Sequence, residues 1–229
     1  MSSFYGKINT LFKRDMTKKN KPIIVGDYVT PEIEALANVK WEATEKIDGT
    51  NMSCEYICAE KALQIRGKTD RANIPSPLLC CMQEIFTLDN LKQTFIRYND
   101  DGQPVMPDKV EIFGEGYGYK IQNGGNYIPD HCDFILFDVR VTNNGEALWL
   151  DRTACEDIAN KMGIRIVPLV GYITIAEACE MVKKGFISAI SHNREYIAEG
   201  LVLKAPHGLL DRRGERLITK VKHCDFRNI

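Results

Sequence analysis

The sequence predicts a mixed α/β (α+β) fold, and two observations carry that expectation. Segments 41–47, 51–58, 62–66, 109–115, 132–141, 164–170, 200–204 and 216–222 alternate or run apolar in the manner of strands. Segments 77–96, 152–162 and 174–186 carry helical signatures instead.

The helices rest on spacing and caps. Residues 77–96 place apolar side chains at helical intervals. Residues 152–162 follow Asp151, whose carboxylate can accept the free N–H groups of a first turn. Residues 174–186 open on Thr174 with Glu177 three positions later, a reciprocal cap. The last strand is the most informative. In RLITKVKHCDF apolar residues alternate with charged ones, so Lys220 and Lys222 share a face. Gly-rich stretches at 114–118 and 123–125 read as loops, and Asp48-Gly49 reads as a hairpin turn. No repeat or low-complexity linker interrupts the chain, so 1–229 reads as one domain.

Composition excludes several classes. The chain has 229 residues, 44% hydrophobic and 27% charged, which suits a globular protein with a sizeable core. No apolar run approaches the roughly 20 residues of a membrane-spanning helix. The N-terminal stretch has no apolar core or cleavage pattern of a secretory signal. None of the eight cysteines forms a CxxC pair, and the four histidines do not cluster with them. Reduced core cysteines in a cytoplasmic, intracellular protein are therefore expected, and a zinc site is not. Net charge is −1, so bulk charge gives no sign of a nucleic-acid binder. The charge is nevertheless sorted: both ends are basic and the middle is acidic. A basic run is often only a solvated surface.

Chemistry concentrates in a series of short motifs. Trp41–Asn51 reads WEATEKIDGTN, with Lys46 at a strand end followed by Asp48-Gly49. Taken alone this Lys-x-Asp-Gly is weak. It is followed in order by Phe113-Gly114-Glu115-Gly116, by DFILFD at 133–138, by EGLVLK at 199–204 and by Lys220-Val221-Lys222. The series resembles motifs I, III, IIIa, IV and V of the covalent nucleotidyltransferase superfamily of ATP-dependent ligases and mRNA capping enzymes. The flanks TEKIDGTN and FGEGYG are most similar to the RNA ligase 2-like branch. KINTLFKRD, RGKTDRANIP and GGNYIPD resemble small stand-alone phage and bacterial members.

The resemblance implies a single nucleotidyltransferase (adenylation) domain of mixed, largely antiparallel sheets with flanking helices and no OB-fold domain. It also implies roles. Lys46 would be the nucleophile toward the α-phosphate of ATP. An amine attacks only when neutral, and neighbouring cationic charge favours that form. Lys220 and Lys222 would bind phosphates and offset transition-state charge. Glu199 would hold Mg²⁺ or Mn²⁺. Glu115 would accept hydrogen bonds from the ribose. Glu45 would contact the adenine amino group, with Phe134 stacking on one face of the base and Val202 packing on the other. Taken alone, Phe134 and Val202 suit an ordinary strand core equally well. Arg66 matches a ribose- or phosphate-binding arginine, Asn51 a position used in sealing, and Arg71 a further phosphate contact. Asp48 would position Lys46 or a metal-bound water, or only make the turn.

The implied activity is ATP-dependent RNA ligation through a lysyl–AMP intermediate. The expected partners are RNA ends or a nicked duplex containing RNA, with no membrane and no obligate protein partner. Asp48 stands where some RNA ligase 2-like enzymes have His and also fits DNA ligases, so a DNA ligase domain stays open. A capping guanylyltransferase is the other alternative, though these enzymes typically have Asp where Glu199 stands. Many ligases carry a further domain after motif V. The chain ends seven residues after Lys222, and the small members it resembles point to a minimal enzyme rather than a truncated one.

Overall fold

The computed structural model describes residues 5–69 and 71–227. Asp70, inside the 66–75 segment, lies outside the described residues. The chain forms two compact units. One is assembled from both chain ends, Gly6–Ile47 and the residues from Val167 onward, and is called the terminal unit. The other, the central unit, comprises Asp48–Ile166 together with Tyr5.

In chain order the terminal unit begins with β1 (Asn9–Thr10), β2 (Phe12–Arg14), β3 (Ile23–Tyr28), α1 (Pro31–Ala35) and β4 (Trp41–Lys46). The central unit opens with β5 (Thr50–Ile57), β6 (Ala62–Gly67), α2 (Ser76–Ile85), α3 (Leu88–Phe95), and the short pair β7 (Arg97–Tyr98) and β8 (Pro104–Val105). It continues with β9 (Lys109–Gly118), β10 (Cys132–Asn143), β11 (Glu146–Trp149), α4 (Arg152–Met162) and β12 (Arg165–Ile166). The terminal unit then resumes with β13 (Leu169–Ile173), α5 (Ile175–Lys184), β14 (Gly200–Lys204) and β15 (Ile218–Lys222).

The terminal sheet runs β1-β15-β14-β4-β13 and is antiparallel except where β1 lies parallel to β15. The odd-numbered residues of β4, β14 and β15 form one face. Trp41, Ala43, Leu201, Leu203 and Val221 pack there with Ile175, Ala178 and Val182 of α5. The capping box holds as expected: Thr174 Oγ1 accepts from Glu177 N–H, and the Glu177 carboxylate accepts from Thr174 N–H at 2.7 Å.

The central sheet runs β11-β10-β9-β5-β6, with β12 parallel beside β10. Met52, Cys54, Ile112, Phe134 and Leu136 cover one face and pack with Leu78, Met82, Phe86 and Leu91 of the α2–α3 region and Ile158 of α4. The opposite face mixes charged and polar residues such as Asn51, Arg66, Glu111 and Glu115 with Phe113, Ile135, Phe137 and Trp149. Among the described residues neither sheet closes into a barrel.

Four local expectations are corrected. The helix expected over 77–96 is two helices, because Thr87 caps α3 by accepting from Asn90 N–H. The 164–170 strand is two strands. Pro168 has no N–H to donate and separates β12, which pairs in the central sheet, from β13, which pairs in the terminal one. Asp48-Gly49 is not a hairpin turn, since β4 and β5 pair in different sheets. The 114–118 stretch is strand: its glycines let neighbours approach, with Phe134 over Gly114 and Leu78 over Gly116.

Candidate active site

The terminal sheet presents lysines on the face opposite its core. The register aligns Lys46, Gly200 and Lys222 across β4, β14 and β15, with Thr44, Val202 and Lys220 in the next row. Strand alternation therefore gathers Lys46, Val202, Lys220 and Lys222 on one face, as the sequence pattern requires. Glu199, one residue before β14, ties the row together. One carboxylate oxygen accepts from Lys46 Nζ, and the other accepts from Lys222 Nζ at 2.5 Å. The three side chains are only 14–28% exposed. Burial works against the charge on Lys222, but Glu199, Cys224 and Asp225 together hold the ammonium above the ordinary lysine range.

Gly200 makes this row possible. A Cβ there would lie 2.0 Å from the Val221 carbonyl oxygen, so only glycine lets β14 approach β15 this closely.

Glu45 faces the other way. It is 1% exposed, and its carboxylate accepts from Ser188 Oγ and from Ala189 N–H at 2.9 Å. Burial raises its pKa above the usual glutamate range, while those two bonds partly counter the rise. The Glu45 side chain is thus spent on fixing the 188–189 segment.

In the central unit Asn51 lies opposite Glu115, and Ser53 lies opposite Arg66 on one side and Phe113 on the other. Asn51, Glu115 and Arg66 therefore share the face opposite the core. The Arg66 guanidinium donates to Glu55 and Gln64. The next row runs Gln64, Glu55, Glu111, Arg140, Trp149 across five strands. Within it Arg140 grips Glu111 through two 2.7 Å bonds.

Phe134 is on the wrong face for the expected stacking role. It pairs with Gly116 while Ile135 lies opposite Glu115, so its side chain points into the core, fully buried and edge-on to Phe86. The aromatic on the Glu115 side is Phe137. It stands two positions from Ile135, so ordinary alternation puts it there; a bulge between Leu136 and Asp138 adjoins it, and the Tyr5 ring packs against Phe113, Phe137 and Trp149.

Asp48 is held from two sides. Its carboxylate accepts from Asn123 Nδ2 at 2.8 Å, and its N–H donates to Tyr127 Oη at 3.1 Å. Both partners come from the GGNYIPD region, whose composition was the available signal. Gly49 follows because a Cβ there would meet the Gly116 carbonyl oxygen at 2.3 Å. Arg71 is exposed in a turn.

A family model described as RNA ligase matches residues 39–222. The chain belongs to the RNA ligase family. No curated protein matches it. Solved structures of Naegleria gruberi RNA ligase share the fold of this family member. An apo mutant has a TM-score of 0.61 at 16% identity, over 99% of this chain and 61% of that one. A mutant with ATP and Mn has a TM-score of 0.60 at 18% identity, over 98% and 62%. The enzyme with pyrophosphate gives 0.60 at 18% identity, over 97% and 60%. This RNA ligase family member thus spans about three fifths of the Naegleria enzyme's length. The likeness establishes that the chain has the fold of these RNA ligase structures, with mixed, largely antiparallel sheets.

The donor set fits one kind of metal. Among the described residues no group of three or more Asp, Glu, His or Cys side chains could cage an ion. Mg²⁺ usually keeps several waters and takes one or two carboxylates plus phosphate oxygens. Glu199, with lysines that phosphates would draw away, suits that arrangement. Among the described residues no helix is long and apolar enough to cross a membrane.

Proposed function

We propose that this chain is an ATP-dependent RNA ligase of the RNA ligase 2-like branch and that 1–229 acts as one adenylation domain. The observation that carries the reading is the Glu199 carboxylate shared by Lys46 and Lys222 on one sheet face. Buried charges are costly unless paired. Two lysines and one glutamate held in register beside a strand end therefore await a ligand carrying negative charge. A lysine that must attack phosphorus, a lysine to receive phosphate and a carboxylate for a divalent cation satisfy that description together.

The cycle is three displacements at phosphorus. Lys46 Nζ, having lost its proton, attacks the α-phosphorus of ATP; the P–N bond forms, the α–β P–O bond breaks and pyrophosphate leaves. The attack needs the free amine, so the Lys46–Glu199 pair must open first. A 5′-phosphate oxygen then attacks the AMP phosphorus and releases Lys46, leaving a 5′–5′ pyrophosphate on the strand. A 3′-OH attacks the 5′-phosphorus and AMP departs. Lys220 and Lys222 supply fixed positive charge to the phosphates in each step. A bound Mg²⁺ or Mn²⁺ at Glu199 would neutralise phosphate charge. Glu115 receives the ribose hydroxyls, Arg66 and Asn51 serve nucleotide and strand phosphates, and Val202 supplies apolar contact to the base. Phe137, rather than Phe134, supplies the aromatic surface. Glu45 positions the 188–189 segment, and Asp48 the loop after Lys46. The absence of any CxxC pair among the eight cysteines suits a reducing cytoplasm.

The test is covalent labelling. Protein incubated with α-labelled ATP and Mg²⁺ or Mn²⁺, then denatured, should retain acid-labile AMP, and Lys46→Ala should retain none. Label from GTP alone would instead mark a capping enzyme. Nicks with a ribonucleotide 3′-OH should seal faster than all-DNA nicks; the reverse order refutes the RNA assignment. Lys220→Ala and Lys222→Ala should slow labelling more than they weaken ATP binding.

A further inference from the structure

The basic N-terminal run has a place in the fold that its sequence did not reveal. The β2–β3 hairpin carries Lys18 and Lys19 on its connecting loop, and the same hairpin ends beside the short 3-10 turn His223–Phe226 that follows β15. Between them lies a cleft of about 310 Å³ lined by Arg14, Lys18, Lys19, Asn20, Cys224 and Asp225. It lies wholly within the terminal unit.

The cleft is built rather than incidental. Arg14 is fixed at both ends of its guanidinium, donating to Asp225 at 2.7 Å and to the Lys21 carbonyl at 3.0 Å. The Asp225 side chain is 7% exposed, so it is spent on Arg14 and offers little to a ligand. Lys18 is 69% exposed and only 3.5 Å from Asp15, a loose pair easily exchanged for another anion. Three cations against one buried acid leave the lining positive. The lining has no aromatic ring, so it offers partners to phosphates and none to stacked bases. Cys224 of the lining stands two residues beyond Lys222 in the chain.

We propose that this cleft docks the phosphodiester backbone of the RNA strand being sealed, with Lys18 and Lys19 contacting phosphates and Arg14 anchoring the wall behind them. The proposal rests on the ligase reading and extends it to a strand-binding surface outside the nucleotide motifs. Phosphate contacts give sequence-independent affinity that falls with salt, which suits an enzyme that acts on any broken end.

The experiment has two arms. In the first, K18E/K19E is compared with wild type for binding a nicked RNA duplex across a salt series, and for AMP labelling from ATP. The expected result is about tenfold or more weaker binding at moderate salt, with the slope of log affinity against log salt reduced by about 1.4–1.8 for two lost phosphate contacts. AMP labelling stays at the wild-type rate. Unchanged affinity and slope overturn the proposal. In the second arm, wild-type protein is alkylated with and without the nicked duplex. Cys80 and Cys224 are both exposed, and Cys80 lies in α2, away from the cleft in the sequence and in the other unit. RNA should slow alkylation of Cys224 and leave Cys80 unchanged. Protection of Cys224 by ATP alone, with nothing added by RNA, overturns the proposal in favour of a nucleotide-phosphate site. Wild type that binds and protects but never labels with AMP sinks the ligase reading while leaving the cleft intact.

Discussion

Gly200→Ala is a severe perturbation whose cost can be worked from the strand geometry. The added methyl would sit 2.0 Å from the Val221 carbonyl oxygen and 2.8 Å from Lys222 Cα. Comfortable contacts lie near 3.5 Å, so β14 and β15 must part by about 1 Å or more. The backbone at Gly200 has φ +154, a region L-residues rarely adopt. Strained backbone and overpacking each cost about 1–3 kcal/mol, so the variant should lose about 2–6 kcal/mol. For a chain of this size that lowers the melting temperature by about 4–24 °C. The moved backbone carries Lys222 and follows Glu199, so AMP labelling should fall further than ATP affinity. Gly125→Ala is the control, because nothing lies within 4 Å of its added methyl. Thermal unfolding and ATP labelling below both melting points read the two effects separately. If Gly200→Ala melts with Gly125→Ala and labels at the wild-type rate, the close strand approach is not what holds the lysine row.

Three further outcomes are expected. Glu45 has its pKa raised by burial, so the folded protein binds an extra proton just above the ordinary glutamate range and stability falls as pH rises through the raised value. Glu45→Gln should flatten that part of the profile of urea midpoint against pH, and an identical slope in both proteins would contradict the assignment. Tyr5→Phe removes the 2.5 Å bond to Asp138 but keeps the ring packing; a loss of about 1–3 kcal/mol in denaturant unfolding is expected for a bond to a charged acceptor, with Tyr5→Ala costing more. Among the thiols, Cys80 and Cys224 should react first with a neutral alkylating reagent, whereas burial pushes Cys58, Cys81 and Cys179 up to about 11 and keeps them slow at neutral pH. Mass mapping that finds Cys179 modified as early as Cys224 would overturn this order.

What the sequence made legible was local. Strand alternation places Lys220 and Lys222 together, and side-chain chemistry places the caps at Asp151 and Thr174; both depend on residues only a few positions apart. What escaped depends on pairing between distant segments. Asp48-Gly49 has the composition of a hairpin turn, yet β4 finds β14 and β5 finds β9. The glycines at 114–118 suggest a loop, but they are there because a phenylalanine and a leucine press on the strand. Phe134 and Phe137 are both aromatic positions of the same strand on opposite faces, and only the pairing of Ile135 with Glu115 decides which one shares the Glu115 side. Glu45 looked available because it adjoins Lys46, while alternation turns it into the interior.

The terminal unit draws on both ends of the chain, and this orders events during synthesis. The central unit is nearly contiguous and has all its strands once residue 166 has left the ribosome. The strand bearing Lys46 emerges earlier but has no neighbour until β13 and β14 arrive, and β15 follows them. Glu199 follows Lys46 by 153 positions, which at about 5–20 residues per second is a wait of about 8–30 s. Until then Lys46 sits on an unpaired edge with neither Glu199 nor its partner lysines. Under the proposed ligase reading, labelling with AMP therefore requires a chain that has completed its last strand.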